Sequence, residues 1–266
     1  MAQQAYNKDM KTDNLSLNEA QIHRYSRNII LKEVGGIGQR KLLNAKVLVV
    51  GAGGLGSPIL FYLASAGVGT IGIIDDDVVE LSNLQRQIMH SSQDLNKKKI
   101  SSAYEKINNL NPDVKINTLD FRLDKNNVEE IIQEYDFIAD GSDNFSTRFI
   151  LNDACFEQNK ILISGAVQSL EGYLTTFNFT DKSSPCYRCI FPEPSENSIE
   201  NNCSTAGVIG SLAGVVGSLQ ATEIIKEILQ IGDRLKGWLV LIDGLNSDFR
   251  KIKIKKDPKC NLCSGK

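Results

Sequence analysis

The sequence predicts an α/β fold: a parallel sheet with helices on both faces, continued by a mixed or antiparallel sheet region within one compact domain. Strand-like and helix-like segments alternate between residues 46 and 167. The strand-like runs are apolar throughout, which suits strands buried on both faces. Beyond residue 170 the rhythm changes, and GYLTTFNFT (172–180), WLVLIDGL (238–245) and FRKIKIKK (249–256) read as antiparallel or mixed strands.

Residues 1–16 are polar and read as a loose, flexible tail, leaving 17–266 as the domain. A helix is expected over about 17–32, with Ser16 as N-cap and Glu19 completing a capping box. KVLVV (46–50) is the first strand. GAGGLGS leads from it into a helix over PILFYLASAG, with Pro58 in its first turn and Gly67 at its end. TIGIID (70–75) is the second strand. SQDLNKKKISSAYEKINNLNP (92–112) reads as a helix that stops before Pro112, and VKINTLD (114–120) as a third strand. NNVEEIIQEY is a helix, DFIADGSD (136–143) a strand, NFSTRFILNDACFEQN a helix and ILISGAV (161–167) a strand. FRKIKIKK alternates basic and apolar residues, as a half-exposed strand does. Residues 183–205 contain three prolines and no hydrophobic period, so a long crossover loop is expected there.

Composition narrows the function. With 30 basic and 32 acidic residues the net charge is −2, which argues against a dedicated nucleic-acid binder. The polar start, MAQQAYNKDMKTDNLS, has no apolar core of a signal peptide, so a cytoplasmic protein is expected. The most apolar segment, 206–229, is interrupted by Ser211, Ser218, Gln220, Thr222 and Glu223. It reads as a buried helix, not a membrane span, with Gly207, Gly210, Gly214 and Gly217 allowing close approach of a neighbour.

Gly51-Ala-Gly53-Gly54-Leu-Gly56 satisfies G-x-G-x-x-G between a strand and a helix. Such a turn lets phosphate oxygens approach the backbone at a helix N-terminus, the arrangement of a Rossmann-like sheet. Asp75 lies 24 residues after Gly51, where an acid can hold a ribose hydroxyl pair. The glycine turn leaves NAD and ATP open. The stretch DDDVVELSNLQRQ (75–87) leans towards a triphosphate, because Ser82, Asn83 and Arg86 are followed by Lys97–Lys99. His23 and His90 lie in no recognisable catalytic setting. Lys97 and Lys98 read as exposed. Asp143, in DGSDN, is placed to hold Mg²⁺ against phosphates, or with Asn144 to cap the next helix.

GAGGLGS, DDDVVELSNLQRQ, DGSDN, CYRC, NNCSTAGV and the final CNLC resemble the MoeB/ThiF/HesA family, bacterial relatives of ubiquitin-activating enzymes. RYSRNIIL (24–31) resembles the family's N-terminal helix motif. The resemblance runs from about residue 20 to the C-terminus. It implies an adenylyltransferase that uses ATP and Mg²⁺ to adenylylate the C-terminal glycine of a small ubiquitin-like sulfur carrier, releasing pyrophosphate. By the same resemblance Gly54 and Asp75 hold the nucleotide. Ser82, Asn83, Arg86 and Lys99 serve the phosphates. Asp143, with Asn144 beside it, serves Mg²⁺, and Arg27 enters the site of a partner subunit, implying a homodimer. A MoaD-like carrier, leading to the molybdenum cofactor, is favoured by CYRCIFPEP, GSLQATEIIK and the C-terminal ending. A ThiS-like carrier, leading to thiamine thiazole, is the alternative. Two further readings are an NAD(P)-dependent oxidoreductase and a silent scaffold for a ubiquitin-like protein. The first leaves Arg86 and Lys99 unexplained, and the second does not need them.

Six cysteines fall into two classes. Cys186/Cys189 and Cys260/Cys263 are paired CxxC motifs, which suit a structural zinc site, and the resemblance implies the same metal. Cys155 reads as core. Cys203 is expected near a helix N-terminus, where a thiol is activated; the resemblance leaves a covalent role and a spectator role both open. The chain stops three residues after Cys263, so sulfur is expected to come from a separate donor protein.

Overall fold

The computed structural model describes residues 17–191 and 207–264. Its strands are β1 (Lys46–Val50), β2 (Thr70–Ile74), β3 (Lys115–Leu119), β4 (Phe137–Asp140), β5 (Ile161–Gln168), β6 (Glu171–Asn178), β7 (Trp238–Asp243) and β8 (Asp248–Lys253). They form one sheet in the order β3-β2-β1-β4-β5-β6-β7-β8. The first five strands pair in parallel and the last three add antiparallel. A Rossmann-like half thus continues directly into a mixed half. The chain order reverses between β1 and β4, and ligands of such sheets bind beyond the strand carboxyl ends at that point.

The helices are α1 (Glu19–Arg24), α2 (Ser26–Ile29), α3 (Gly35–Asn44), α4 (Gly56–Ala66), α5 (Lys99–Leu110), α6 (Val128–Ile132), α7 (Phe145–Glu157) and α8 (Gly210–Leu229). One core cluster joins the sheet to α4, α5 and α8, and a second joins its other face to α6, α7 and the cysteine pairs. This is the covering that continuous apolar strands require. No helix among the described residues is long and apolar enough to cross a membrane. Instead α8 packs against α4, β5 and β6. Gly210 and Gly217 sit against the carbonyls of Gln85 and Leu55, whereas Gly207 and Gly214 face open space.

Four expected elements differ in detail. The helix over 17–32 is two short helices broken at Tyr25, and its capping box is Asn18 with Gln21 rather than Ser16 with Glu19. Ser16, like the rest of the expected tail, lies outside the described residues. The break turns Tyr25 inward, 2% exposed, with its hydroxyl 2.9 Å from Asn111 Nδ2. The helix over 92–112 begins only at Lys99. Before it the chain makes a single 3-10 turn over Ser92–Asp94, and Val78 and Lys98 form a bridge that holds the start of α5 near the sheet's carboxyl edge. The strand over 136–143 stops at Asp140, and Gly141–Asp143 leave the sheet as a turn. The half-exposed terminal strand is exposed along its whole length, since β8 is an edge strand with one neighbour. Its Lys251 and Lys253 ammonium groups lie 4.7 Å and 5.8 Å from the Trp238 ring centre.

Tyr25 is the anchor that seats the N-terminal helices on the core. Tyr25→Ala should lower the unfolding free energy in urea titrations by about 3–5 kcal/mol. Tyr25→Phe should cost only about 1 kcal/mol, because the ring stays. Equal costs would mean that the hydroxyl, not the buried ring, carries the contact.

Candidate functional site

The glycine turn after β1, the acid after β2 and the turn after β4 meet at the sheet's carboxyl edge. They line one cavity of about 330 Å³. Gly51 takes φ +93°, a left-handed conformation, and any Cβ there would lie 2.9 Å from the Gly141 carbonyl oxygen. That closeness brings the turns after β1 and β4 together. Gly53 and Gly54 line the cavity, while Gly56 is buried beneath them against the Gly51 carbonyl.

Asp75 reaches the same cavity. Its Oδ2 accepts the Ala52 N–H at 2.8 Å and its Oδ1 the Asp77 N–H at 2.9 Å. The acid expected to hold a ribose therefore also fixes the glycine turn. Burial raises its pKa, and the nearby Lys99 ammonium works in the opposite direction.

Two of the expected phosphate-binding cations are present. Arg86 lines the cavity and donates from Nη1 to the Ser82 carbonyl at 3.1 Å. Lys99 is 5% exposed, with Nζ 2.7 Å from Asp77 Oδ2. Ser82 and Asn83 are not among the lining residues. Ser82 Oγ donates to Glu80 Oε2 at 3.3 Å, and Asn83 Oδ1 accepts the Glu80 N–H at 3.1 Å. They shape the turn that presents Arg86. Lys97 and Lys98, expected to be exposed, are half-buried in ion pairs with Glu105 and Asp120.

The turn after β4 separates the two readings of Asp143. Asn144 alone is the N-cap of α7, its Oδ1 accepting the Thr147 N–H at 2.9 Å. Asp143 stays exposed at the cavity wall, and among the described residues its side chain accepts one hydrogen bond, from the Asn144 amide at 3.4 Å. Beneath the turn lies Asp140, fully buried. Its Oδ1 accepts Ser142 Oγ at 2.6 Å, and its Oδ2 accepts Ser164 Oγ at 2.9 Å and faces Arg148 Nε at 3.8 Å. Arg148 Nη2 then donates to the Ser142 carbonyl at 2.9 Å.

Several residues of the cavity wall carried no readable signal. Gln87, 4% exposed, ends the DDDVVELSNLQRQ stretch, and its Oε1 has no hydrogen-bond partner among the described residues. Phe121 and Arg122 come from the segment after β3, which matches no motif. Arg27, by contrast, is exposed on α2 and is not among the lining residues.

The four paired cysteines converge on the opposite face of the sheet. Their Sγ atoms are 3.8 Å (Cys186–Cys189), 3.5 Å (Cys186–Cys260) and 3.4 Å (Cys189–Cys263) apart. All four lie within 4.8 Å of one another. A tetrahedron with Zn–S bonds of about 2.3 Å has sulfur–sulfur edges of about 3.8 Å. The donor set fits a closed structural zinc site. The pKa of the Cys189 thiol is lowered, chiefly by its hydrogen bond with Cys186. Cys155 is fully buried, with its thiol pushed up by burial, as a core residue should be. Cys203 lies outside the described residues.

Comparison with known proteins agrees with this geometry. The ThiF family model matches residues 25–262. The chain belongs to the ThiF family. The SAMP-activating enzyme E1 of Haloferax volcanii is 45% identical over 94% of this chain and 91% of its own length. The sulfur carrier protein adenylyltransferase of Thermus thermophilus is 42% identical, covering 91% of each. The adenylyltransferase and sulfurtransferase MOCS3 of Culex quinquefasciatus is 48% identical, but the chain spans only 56% of its length. These relatives make the chain a ThiF-family adenylyltransferase. The structure of E. coli MccB with ATP superimposes with a TM-score of 0.79 over 90% of this chain and 74% of that one. At 23% identity that likeness speaks for the fold.

The purified protein should carry about one zinc per chain by elemental analysis. Cys260→Ser should lose the metal and melt at lower temperature; unchanged zinc content would remove Cys260 from the site.

Proposed function

We propose that the protein uses ATP to adenylylate the C-terminal glycine of a small ubiquitin-like sulfur carrier, with release of pyrophosphate. The observation that carries the reading is the meeting of Arg86, Lys99 and Asp143 around the glycine turn in one cavity. That set suits charge on phosphates better than hydride transfer. The names of the relatives, which activate SAMP proteins or sulfur carriers, support a carrier substrate.

The chemistry asks little covalent work of the protein. A carboxylate oxygen of the carrier's terminal glycine attacks the α-phosphorus. The bond to the bridging oxygen breaks, and pyrophosphate leaves with the electron pair. Catalysis then rests on positioning and on neutralising charge as it moves from the α-phosphate to the leaving group. The glycine turn and Asp75 hold the nucleotide. Arg86 supplies a planar fork for phosphate oxygens. Lys99 is buried beside the cavity and held by Asp77, so it serves the phosphates by exchanging one anionic partner for another. The carboxylate of Asp143 is an oxygen ligand of the kind Mg²⁺ takes, and it is not committed to helix capping. Bound there, Mg²⁺ would neutralise phosphate charge.

Arg27 stands exposed on α2, outside its own chain's cavity, which fits a contribution to the site of a second copy. A homodimer with shared sites is part of the proposal. A MoaD-like carrier is the favoured substrate, on the resemblance of the cysteine loop and the C-terminal region. A ThiS-like carrier is the second.

Carrier-dependent exchange of labelled pyrophosphate into ATP tests the reading. Exchange should appear with a MoaD-like protein ending in Gly-Gly. Exchange with only a ThiS-like protein would move the enzyme to the other pathway, and exchange with neither would overturn carrier adenylylation. Asp143→Ala should lower the rate by about 100-fold or more without dissociating the oligomer. Mixing Arg27→Ala with Asp143→Ala subunits should restore part of the activity if Arg27 acts across the interface. No restoration would confine it to its own chain.

A further inference from the structure

Ala52, in the middle of the glycine turn, is held from both ends. Its N–H donates to Asp75, and its carbonyl oxygen lies 2.9 Å from His90 Nε2. His90 is 7% exposed, and its Nδ1 lies 2.9 Å from Ser102 Oγ. A carbonyl can only accept, so Nε2 carries the proton. Nδ1 then accepts from the Ser102 hydroxyl, and the two partners together fix the tautomer. Burial lowers the ring's pKa and favours the neutral form. Of the charged groups near it, Lys99 acts in the same sense and Asp75 and Asp94 oppose it.

The consequence reaches the cavity through peptide geometry. No peptide bond in the described chain is cis, and a trans peptide points its C=O and N–H in opposite directions. Drawing the Ala52 carbonyl onto His90 therefore turns the Gly53 N–H the other way. Gly53 lines the cavity, and its N–H has no acceptor among the described residues. The second ring nitrogen holds a different element. Ser102 lies one helical turn beyond Lys99 on α5, so His90 also ties that helix to the glycine turn. One side chain thus orients two phosphate-side groups, a backbone donor and the helix that delivers a cation.

We propose that His90 is a positioning residue for the nucleotide, aiming the Gly53 N–H at the phosphates and holding Lys99 in register with it. The proposal rests on the reading of this cavity as an ATP site. It places no catalytic step on the imidazole.

Calorimetric titration with ATP·Mg, together with pyrophosphate-exchange kinetics, separates this role from simple packing. His90→Ala should weaken ATP binding about tenfold, the loss expected of one buried hydrogen bond to a ligand-orienting group. The effect should fall on the KM for ATP more than on kcat. His90→Gln keeps an N–H able to reach the Ala52 carbonyl and should bind within about threefold of wild type. Ser102→Ala, which leaves the ring in place, should show an intermediate rise in KM. Melting temperatures identify any variant that fails to fold. If His90→Ala unfolds, His90→Gln and Ser102→Ala decide. His90→Ala binding as tightly as wild type, a folded His90→Gln with a tenfold loss, or Ser102→Ala with an unaltered KM would each overturn the positioning role. Wild-type protein that binds no ATP would overturn the ATP reading itself, and this proposal with it.

Discussion

The buried carboxylate of Asp140 is the constraint on which the cavity wall depends. It ends β4 in the centre of the sheet, fully removed from water, and is held by two serine hydroxyls, the Ser142 N–H and the Arg148 guanidinium. Breaking such a pair by removing one partner costs about 3–5 kcal/mol, because the other charge is left uncompensated. The arrangement persists only because every partner is in place. Arg148 lies on α7, Ser164 on β5, and Gln220 of α8 donates to the Asp140 backbone carbonyl at 2.8 Å. Elements from both faces of the sheet therefore converge on one residue. What they fix is the shape of the turn that carries Asp143.

The parallel half was legible because its physics is local. Strands covered on both faces must be apolar at every position, and KVLVV and TIGII are. The helix over α4 announces itself with an early proline and a terminal glycine. What misled was long-range. The N-terminal helix breaks at Tyr25, whose buried hydroxyl accepts from the amide of Asn111, 86 residues away. The start of α5 is delayed because Lys98 bridges to Val78. The helix α3 has no side-chain cap and opens on two glycines, so nothing in its own sequence marks its beginning.

The site shows the same division. The glycine turn, Asp75, Arg86, Lys99 and Asp143 could be read from motifs, and the structure brings them to one cavity. Asp143 had two readings in sequence, and only the geometry of the turn shows that Asn144 caps the helix while Asp143 does not. Gln87 and Arg122 were invisible because nothing in their neighbours specifies which way they face. His90 looked idle for a related reason. Its partners, Ala52 and Ser102, are a backbone carbonyl and a serine that form no motif.

The cysteine cluster has a meaning for the whole chain that its local geometry does not show. Cys186 and Cys260 are 74 residues apart, and α8, β7 and β8 all lie between them. A metal held by both pairs converts that span into a closed ring. In a chain-entropy description, closing a ring of this size removes roughly 4–5 kcal/mol of freedom from the unfolded state. The antiparallel half, with its fully exposed edge strand, is the part of the sheet with least burial to hold it. Ring closure by a bound metal would add to what the pairing of β8 with β7 supplies. The long helix inside the ring reaches Asp140 through Gln220, so the loop that a metal would close includes the helix that braces the turn beside the nucleotide cavity.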